Sequence, residues 1–335
     1  MKTYDIYGIG NALLDSEYAV SDSFLVQHSI DKGRMTLIDR DRRATLLGAV
    51  AHQEPNSVGA GGSAANSTYA AQGFGCQNYF AGVVRNDAVG LTFSRELSNA
   101  GIDSLAATEK AAPHSGQCII FVTEDGQRSM NTYLGISETL DEHHVEEHVV
   151  ACSSWAYREG YLVSSSTGCA AARRTREIAV QNGAKTSLTL ADVSIVRAFR
   201  EAMNEVIGDA LDLVFCNIEE ALEWCETDRL DTAAKRILDI ARYAVITVSE
   251  KGCYLTGSDG VTYVAGFPVQ PVDSNGAGDM FAGAFLAALQ QGSSMEQAAR
   301  FANYAASHVV QIYGPRLPSF GKYSSIARSF SQTGT

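Results

Sequence analysis

Several familiar signatures are missing from this chain, and each absence removes a class of protein. Its seven cysteines are odd in number and scattered over 335 residues, and no C-x-x-C occurs. That excludes a disulfide-framed scaffold and points to reduced thiols. No apolar run reaches bilayer length; "MFAGAFLAAL" stops far short of the ~20 residues a spanning helix needs. The opening "MKTYDIYGIGNALLD" lacks the basic, apolar, small-residue order of a secretory signal, so a cytoplasmic location is expected and the sequon Asn66-Ser67-Thr68 carries no sugar. There is no G-x-x-x-x-G-K-[ST] phosphate loop and no G-x-S-x-G nucleophile elbow. Positive charge is scarce: 26 Lys and Arg face 38 Asp and Glu, for a net charge of −12. Such a balance disfavours nucleic acid and anionic membranes as partners, but a few local amides and cations suffice to hold a small phosphorylated ligand.

What is present is a soluble globular composition, 45% hydrophobic and 19% charged, long enough for one large α/β domain or two ordinary ones. "YDIYGIG", "NYFAGVV", "WAYREGYLV", "TSLTLADV", "LDLVFCN" and "YAVITVS" read as short strands. Helical patterns lie between them, among them "SAANSTYAAQGFG", "AVGLTFSRELSNAG", "CAAARRTREIAVQNG" and "TAAKRILDIAR". This alternation predicts a mostly parallel sheet with helices on both faces. Two stretches, "SEYAVSDSFLVQHSIDKGRMTLID" and "GQCIIFVTEDGQRSMNTYL", alternate apolar and polar residues with no helix expected between their strands; "EDGQ" is a hairpin turn signal. They predict a small antiparallel β-sheet standing off the main one. The expected division is an α/β core of residues 1–14, 45–114 and 136–335, with a β lid of 15–44 and 115–135.

The stretch "SNGAGDMFAGAF" places Asp279 directly after Gly276, Ala277 and Gly278 at the start of an apolar helix. Glycines let main-chain amides approach a ligand, and a helix start aims unpaired N–H groups and positive potential at an anion. A carboxylate there either complements the helix dipole or takes a proton from a hydroxyl while the amides hold phosphoryl charge. A second cluster, "VGAGGSAANS", fits the dinucleotide fingerprint formally as Gly59-x-Gly61-x-x-Ala64, but "AHQEPNS" before it does not read as a buried strand. After "YDIYGIG", Leu13 occupies the third fingerprint position. A rival motif is "HVEEH": on a helix, His144 and His148 would lie one turn apart as zinc ligands with Glu147 as base, although a solvated acidic helix face has the same pattern.

In this order the motifs resemble the ribokinase/PfkB carbohydrate-kinase family over nearly the whole chain. "DSNGAGDMFAGAF" looks like its C-terminal signature and "GAGGSAANSTYAAQGFG" like its N-terminal one; "CNIEE" is similar to its N-x-x-E element and "TVSEKG" to its nucleotide-side loop. "GIGNALLD" and "FLVQHSIDKGRMTLID" look most like the adenosine-kinase branch. The resemblance implies a ribokinase-like fold and an ATP-dependent phosphotransferase acting on the primary hydroxyl of a ribose-like substrate. Adenosine is the first reading, with a free sugar (ribose or fructose) or inosine or guanosine as alternatives. A non-catalytic binding module on the same fold is a further alternative, against which the intact Gly-Ala-Gly-Asp argues.

By that resemblance Asp279 is the catalytic base and Gly276, Ala277 and Gly278 form the anion hole. Asp15 holds the ribose diol, with Asn11, Gly61, Gly62 and Asn66 completing the sugar pocket, and Arg128 closes over the phosphates from the lid hairpin. Asn217 and Glu220 stand at the magnesium–phosphate region; Thr247, Ser249, Gly252, Asn275 and Asn303 line the ATP side. Leu13, Met35, Cys118 and Phe121 are candidates for the nucleobase wall or for lid packing. Ser274 replaces the commoner threonine, and Ser249 stands where the nucleotide loop often has glycine. Mg²⁺ accompanies ATP, many members respond to K⁺, and no protein group is assigned as a direct metal ligand. Monomer and homodimer both fit.

Overall fold

The structure is a computed structural model describing residues 3–107 and 113–332. Residues 108–112, within the segment 45–114 assigned to the core, lie outside the described residues. The strands in chain order are β1 (Tyr4–Ile9), β2 (Leu13–Ala19), β3 (Met35–Leu37), β4 (Ser57–Gly61), β5 (Asn78–Val83), β6 (Asp103–Ala107) and β7 (Gly116–Val122). They continue as β8 (Arg128–Tyr133), β9 (Ser153–Glu159), β10 (Lys185–Thr189), β11 (Leu211–Asn217), β12 (Ala241–Thr247), β13 (Gly252–Gly257) and β14 (Gly260–Ala265). Among the described residues they form two sheets.

The larger sheet runs β14-β13-β12-β11-β10-β9-β1-β5-β6. It is parallel from β12 to β6, and β13 and β14 close its other edge antiparallel. Helices cover both faces, as the alternation predicts. Strand periodicity sorts side chains between two cores: Trp155 and Tyr157 point to one, Ala156 to the other. Central to the first core is the Ala277–Gln290 helix, whose residues Met280–Ala288 are all buried. A helix apolar on every side must lie inside, and this one is held between the Ser63–Gly73 and Met295–Val309 helices.

The smaller sheet, ordered β3-β8-β7-β2-β4, stands apart as expected. Its pairs β2–β4 and β7–β8 are antiparallel, whereas β2–β7 and β3–β8 are parallel. The "EDGQ" turn forms between β7 and β8, with Gly126 at φ 78° donating its N–H to the Thr123 carbonyl. Two expectations need correcting here. A short helix, Asp22–Gln27, does lie between β2 and β3; Ser21 caps it by accepting from the Phe24 N–H, and Leu25 is its buried residue. And "SVGAG", in the segment assigned to the core, is a strand of the smaller sheet. Its glycines hide the strand signal, and antiparallel pairing with β2 makes the strand.

Phe285 is wholly buried, its ring centroid 5.5 Å from that of Phe215 in an edge-on contact that ties the central helix to β11. Phe285→Ala should lower unfolding free energy by about 3–5 kcal/mol in urea titration; a loss below about 1 kcal/mol would remove this helix from the core as described.

Candidate active site

Two helix starts meet at one carboxylate. Gly276, at φ 69°, turns the chain into the Ala277–Gln290 helix, and no side chain caps it. A Cβ on Gly278 would meet nothing within 4 Å, so the first turn opens onto free space. Asp279 in that turn receives two hydrogen bonds from the Ser63–Gly73 helix: Ser63 Oγ donates to Oδ1 at 2.7 Å and Asn66 Nδ2 to Oδ2 at 3.0 Å. Gly62 (φ 92°) makes the entry to that helix, where a Cβ would lie 2.0 Å from the Asn11 carbonyl oxygen. Burial pushes the Asp279 pKa upward; the Ser63 and Asn66 donors and the charges of Arg128 and Arg316 oppose this.

A cavity of about 710 Å³ opens between the two sheets, and Asp279, Gly276, Ala277 and Gly278 lie on its wall together with Asn11, Asp15, Gly62 and Asn66. Asp15 is 7% exposed and its pKa rises to about 7, chiefly through burial; Arg316 and Arg128 pull it down and Asp279 pushes it up. Gly61 does not line the cavity. Its place is structural: a Cβ there would lie 2.1 Å from the Asp15 carboxyl carbon. Arg128 leaves its hairpin to reach the other helix start, donating from Nε to Ser274 Oγ and from Nη1 to Asn275 Oδ1, both at 3.0 Å. Asn275 in turn donates to Glu17 at 2.6 Å.

Glu159 at the end of β9 went unassigned in the sequence. Its Oε1 accepts from the Asn11 main-chain and side-chain N–H groups at 2.7 and 2.9 Å, and its Oε2 from the Ala64 N–H at 2.8 Å. It therefore joins the end of β1 to the start of the Ser63–Gly73 helix. Burial raises its pKa to about 7 against those three donors. Ser63 was also missed; its position as first residue of a glycine-led helix was the available signal.

Asn217, Glu220, Thr247, Ser249, Gly252, Asn275 and Asn303 line the remainder of the same cavity. Asn217 and Glu220 form a reciprocal cap at the start of the Ile218–Trp224 helix, with Asn217 Oδ1 accepting from the Glu220 N–H at 2.9 Å. Burial, reinforced by Asp192 and Glu219, drives Glu220 to about 8. Ser249 adopts φ 53°, a left-handed conformation that glycine takes without strain; this accounts for a preference for glycine at the position, and nothing in the structure explains the serine. Asn303 is engaged with the main chain, its Nδ2 donating to the Val264 and Ala265 carbonyls at 3.1 and 3.2 Å. On the smaller sheet Leu13, Met35 and Cys118 face the cavity, as does Ile120. Phe121 does not: one residue along β7 it points to the opposite face, against Tyr18 and Leu25.

"HVEEH" is not a helical metal motif. His144 ends a short 3-10 turn and lies 2.7 Å from Asp141, while His148 belongs to the separate Glu147–Ala151 helix. Among the described residues no three His, Cys, Asp or Glu side chains converge to hold a metal ion, and no helix is long and apolar enough to cross a membrane.

The model of the pfkB family of carbohydrate kinases matches residues 29–320. The chain belongs to that family. It superposes on the crystal structure of an adenosine kinase from Sinorhizobium meliloti with TM-score 0.92 and 34% identity, covering 99% of each chain. A probable sugar kinase from Rhizobium etli gives TM-score 0.93 and 33% identity over 100% of this chain and 99% of the other. The adenosine kinase of Saccharomyces cerevisiae is 26% identical across 93% of this chain and 96% of its own. As a pfkB kinase the protein transfers phosphate from ATP, with a divalent metal, to a hydroxyl group of its substrate.

The raised Asp15 pKa has a measurable consequence. The folded state holds the Asp15 proton up to about pH 7, whereas the unfolded chain releases it near pH 4, so this group costs stability as pH rises between those values. Asp15→Asn should therefore unfold at higher urea than the parent at pH 8, with a smaller gain at pH 5, while losing activity. An equal or lower midpoint at pH 8 would contradict the burial argument.

Proposed function

We propose that this pfkB kinase phosphorylates the primary hydroxyl of a ribose-bearing nucleoside, adenosine first. The observation that carries the reading is Asp279, set by Ser63 and Asn66 at an uncapped helix start and facing the same cavity as Asp15. Names of relatives agree with it, since two of the three similar proteins above are adenosine kinases. The wall of Leu13, Met35, Cys118 and Ile120 favours a flat apolar base over a free sugar, whose hydroxyls would lack partners there.

The chemistry follows from the placement. Asp15, with Asn11 and Asn66, receives the two ribose hydroxyls, because an ionised carboxylate accepts two hydrogen bonds at once. That leaves the primary hydroxyl at Asp279, whose carboxylate orients it and takes its proton as the new bond to the γ-phosphorus of ATP forms and the bond to the β-phosphate oxygen breaks, releasing ADP. The amides of Gly276, Ala277 and Gly278 hold the charge on the migrating phosphoryl group, and Arg128 adds a positive charge from the second sheet. Ser249, Gly252 and Asn303 bound the nucleotide side of the cavity.

Mg²⁺ is the divalent ion proposed. The wall fits it: Glu220 is held near pKa 8 by burial and by neighbouring Asp192 and Glu219, a repulsion that a hard cation relieves. Because these groups do not converge as a ligand set, Asn217 and Glu220 would hold the ion through its water shell, with ATP oxygens as direct ligands. When bound, the ion neutralises charge on the phosphates.

An ATP-consumption assay over nucleosides and free sugars, run with and without K⁺, tests the reading. Adenosine should be the fastest acceptor; a free sugar outpacing every nucleoside would transfer the site to the alternative substrate class. Asp279→Asn should lower kcat at least about 100-fold with KM and melting temperature near wild type. Normal turnover by that variant would take Asp279 out of the chemistry.

A further inference from the structure

We propose that Arg316, a residue outside the cavity, is a positioning residue that holds the Asn66 side-chain amide in the one orientation in which it can serve the Asp279 carboxylate. This rests on the role of Asp279 proposed above.

An asparagine side chain has a carbonyl end that only accepts and an amino end that only donates. Arg316 Nε donates to Asn66 Oδ1 at 2.9 Å, and Asn66 Nδ2 donates to Asp279 Oδ2 at 3.0 Å. Guanidinium cannot accept and carboxylate cannot donate, so this pair of neighbours permits a single orientation of the amide. Without Arg316, rotation of the amide by a half-turn would set carbonyl oxygen against ionised carboxylate. Asp279 would then lose one of its two donors and gain a repulsion.

Arg316 is itself held from several sides. Its guanidinium stacks 4.4 Å from the Tyr69 ring centroid. Its Nη1 lies 3.5 Å from Glu96 Oε2, an oxygen that also accepts the Ala60 N–H of β4 at 2.9 Å. The flanking chain is equally constrained: the Gly314 N–H donates to Asp273 at 3.1 Å, the Leu317 N–H to the Tyr323 hydroxyl at 3.2 Å, and a Cβ on Gly276 would lie 2.5 Å from Pro315. "YGPRLPS" thus braces the helix start that carries Asp279 and delivers the cation behind Asn66.

The charges around the pair set the sign of the effect. Asp279 is influenced by the cations Arg128 and Arg316, and it in turn influences Asp15, Glu159, Tyr157 and Tyr161. Arg316 is influenced by Glu96, Asp15, Tyr69 and Tyr323. Removing its charge leaves Asp279 beside Asp15 and Glu159 with Arg128 as the remaining cation among these groups. Its proton is then held to higher pH.

The test is kcat and KM against pH for wild type, Arg316→Met and Arg316→Lys, each checked for folding by circular dichroism and melting. The acceptor is whichever alcohol the wild type phosphorylates fastest, so a failed nucleoside assignment and a failed Arg316 assignment give separate results. Arg316→Met should lower kcat at pH 7 by roughly 10- to 100-fold and move the acidic limb of kcat upward by about one pH unit. Because Arg316 also pulls the Asp15 pKa down, KM should rise as well, and the kcat limb is read at saturating acceptor to keep the two effects apart. Arg316→Lys keeps the charge but loses the rigid fork, so the limb should return toward wild type while kcat recovers only in part. In an Asp279→Asn background, Arg316→Met should cost less than about threefold further, because the group it positions no longer acts. A folded Arg316→Met with the wild-type limb, or full additivity with Asp279→Asn, would overturn the assignment.

Discussion

The contact on which the site depends joins residues 216 positions apart in the chain: Ser63 and the carboxylate of Asp279. It exists because two helices run close together near their starts, and they do so because their facing residues are small. A Cβ on Gly283 would lie 2.3 Å from the Ser67 carbonyl oxygen and 2.7 Å from the Ala70 Cβ. Nothing larger than hydrogen fits there. A bulkier residue would part the helices, and the Ser63 and Asn66 bonds to Asp279 would lengthen with them. The amide cradle and the carboxylate are thus set by the same packing that closes the core.

Around that contact the protein gathers acids and then buries them. Burial raises Asp15 and Glu159 to about 7 and Glu220 and Glu17 to about 8. Each is unfavourable for the empty fold and favourable for a ligand that brings donors or cations, which is the usual tension between stability and function. The net charge of −12 looks ill-suited to binding phosphates only when averaged over the molecule. Locally, Arg128 and Arg316 stand beside the carboxylates, and the uncapped helix start supplies main-chain donors. Arg128 also bonds to Ser274 and Asn275, so the smaller sheet is tied to the helix start that carries the proposed chemistry.

Much of this was legible in one dimension. The strand–helix rhythm predicted the mostly parallel sheet because each element carries its own hydrophobic period, and Gly276 to Asp279 declared a glycine-led helix start. The misses have separate causes, each a local detail that composition does not record. "SVGAG" has one β-branched residue and becomes β4 only against β2. Asp22–Gln27 is too short for a helical period and depends on its Ser21 cap. "HVEEH" has helical spacing, yet the chain breaks between His144 and His148. Phe121 took the second of its two expected places, lid packing: along a strand, alternate side chains face opposite ways, and its neighbour Ile120 faces the cavity.

The linear chain by itself determined the fold class, the family and the two glycine-led helix starts, because local spacing and small-residue patterns are properties of neighbours. Only the tertiary structure decided that Glu159 fastens Asn11 to Ala64, that Gly61 makes room for Asp15, and that Arg316 stands behind Asn66. Those relations span 148, 46 and 250 positions respectively. A hydrogen bond is decided by distance in space, and no periodicity along the sequence records which remote groups folding will bring within about 3 Å of each other.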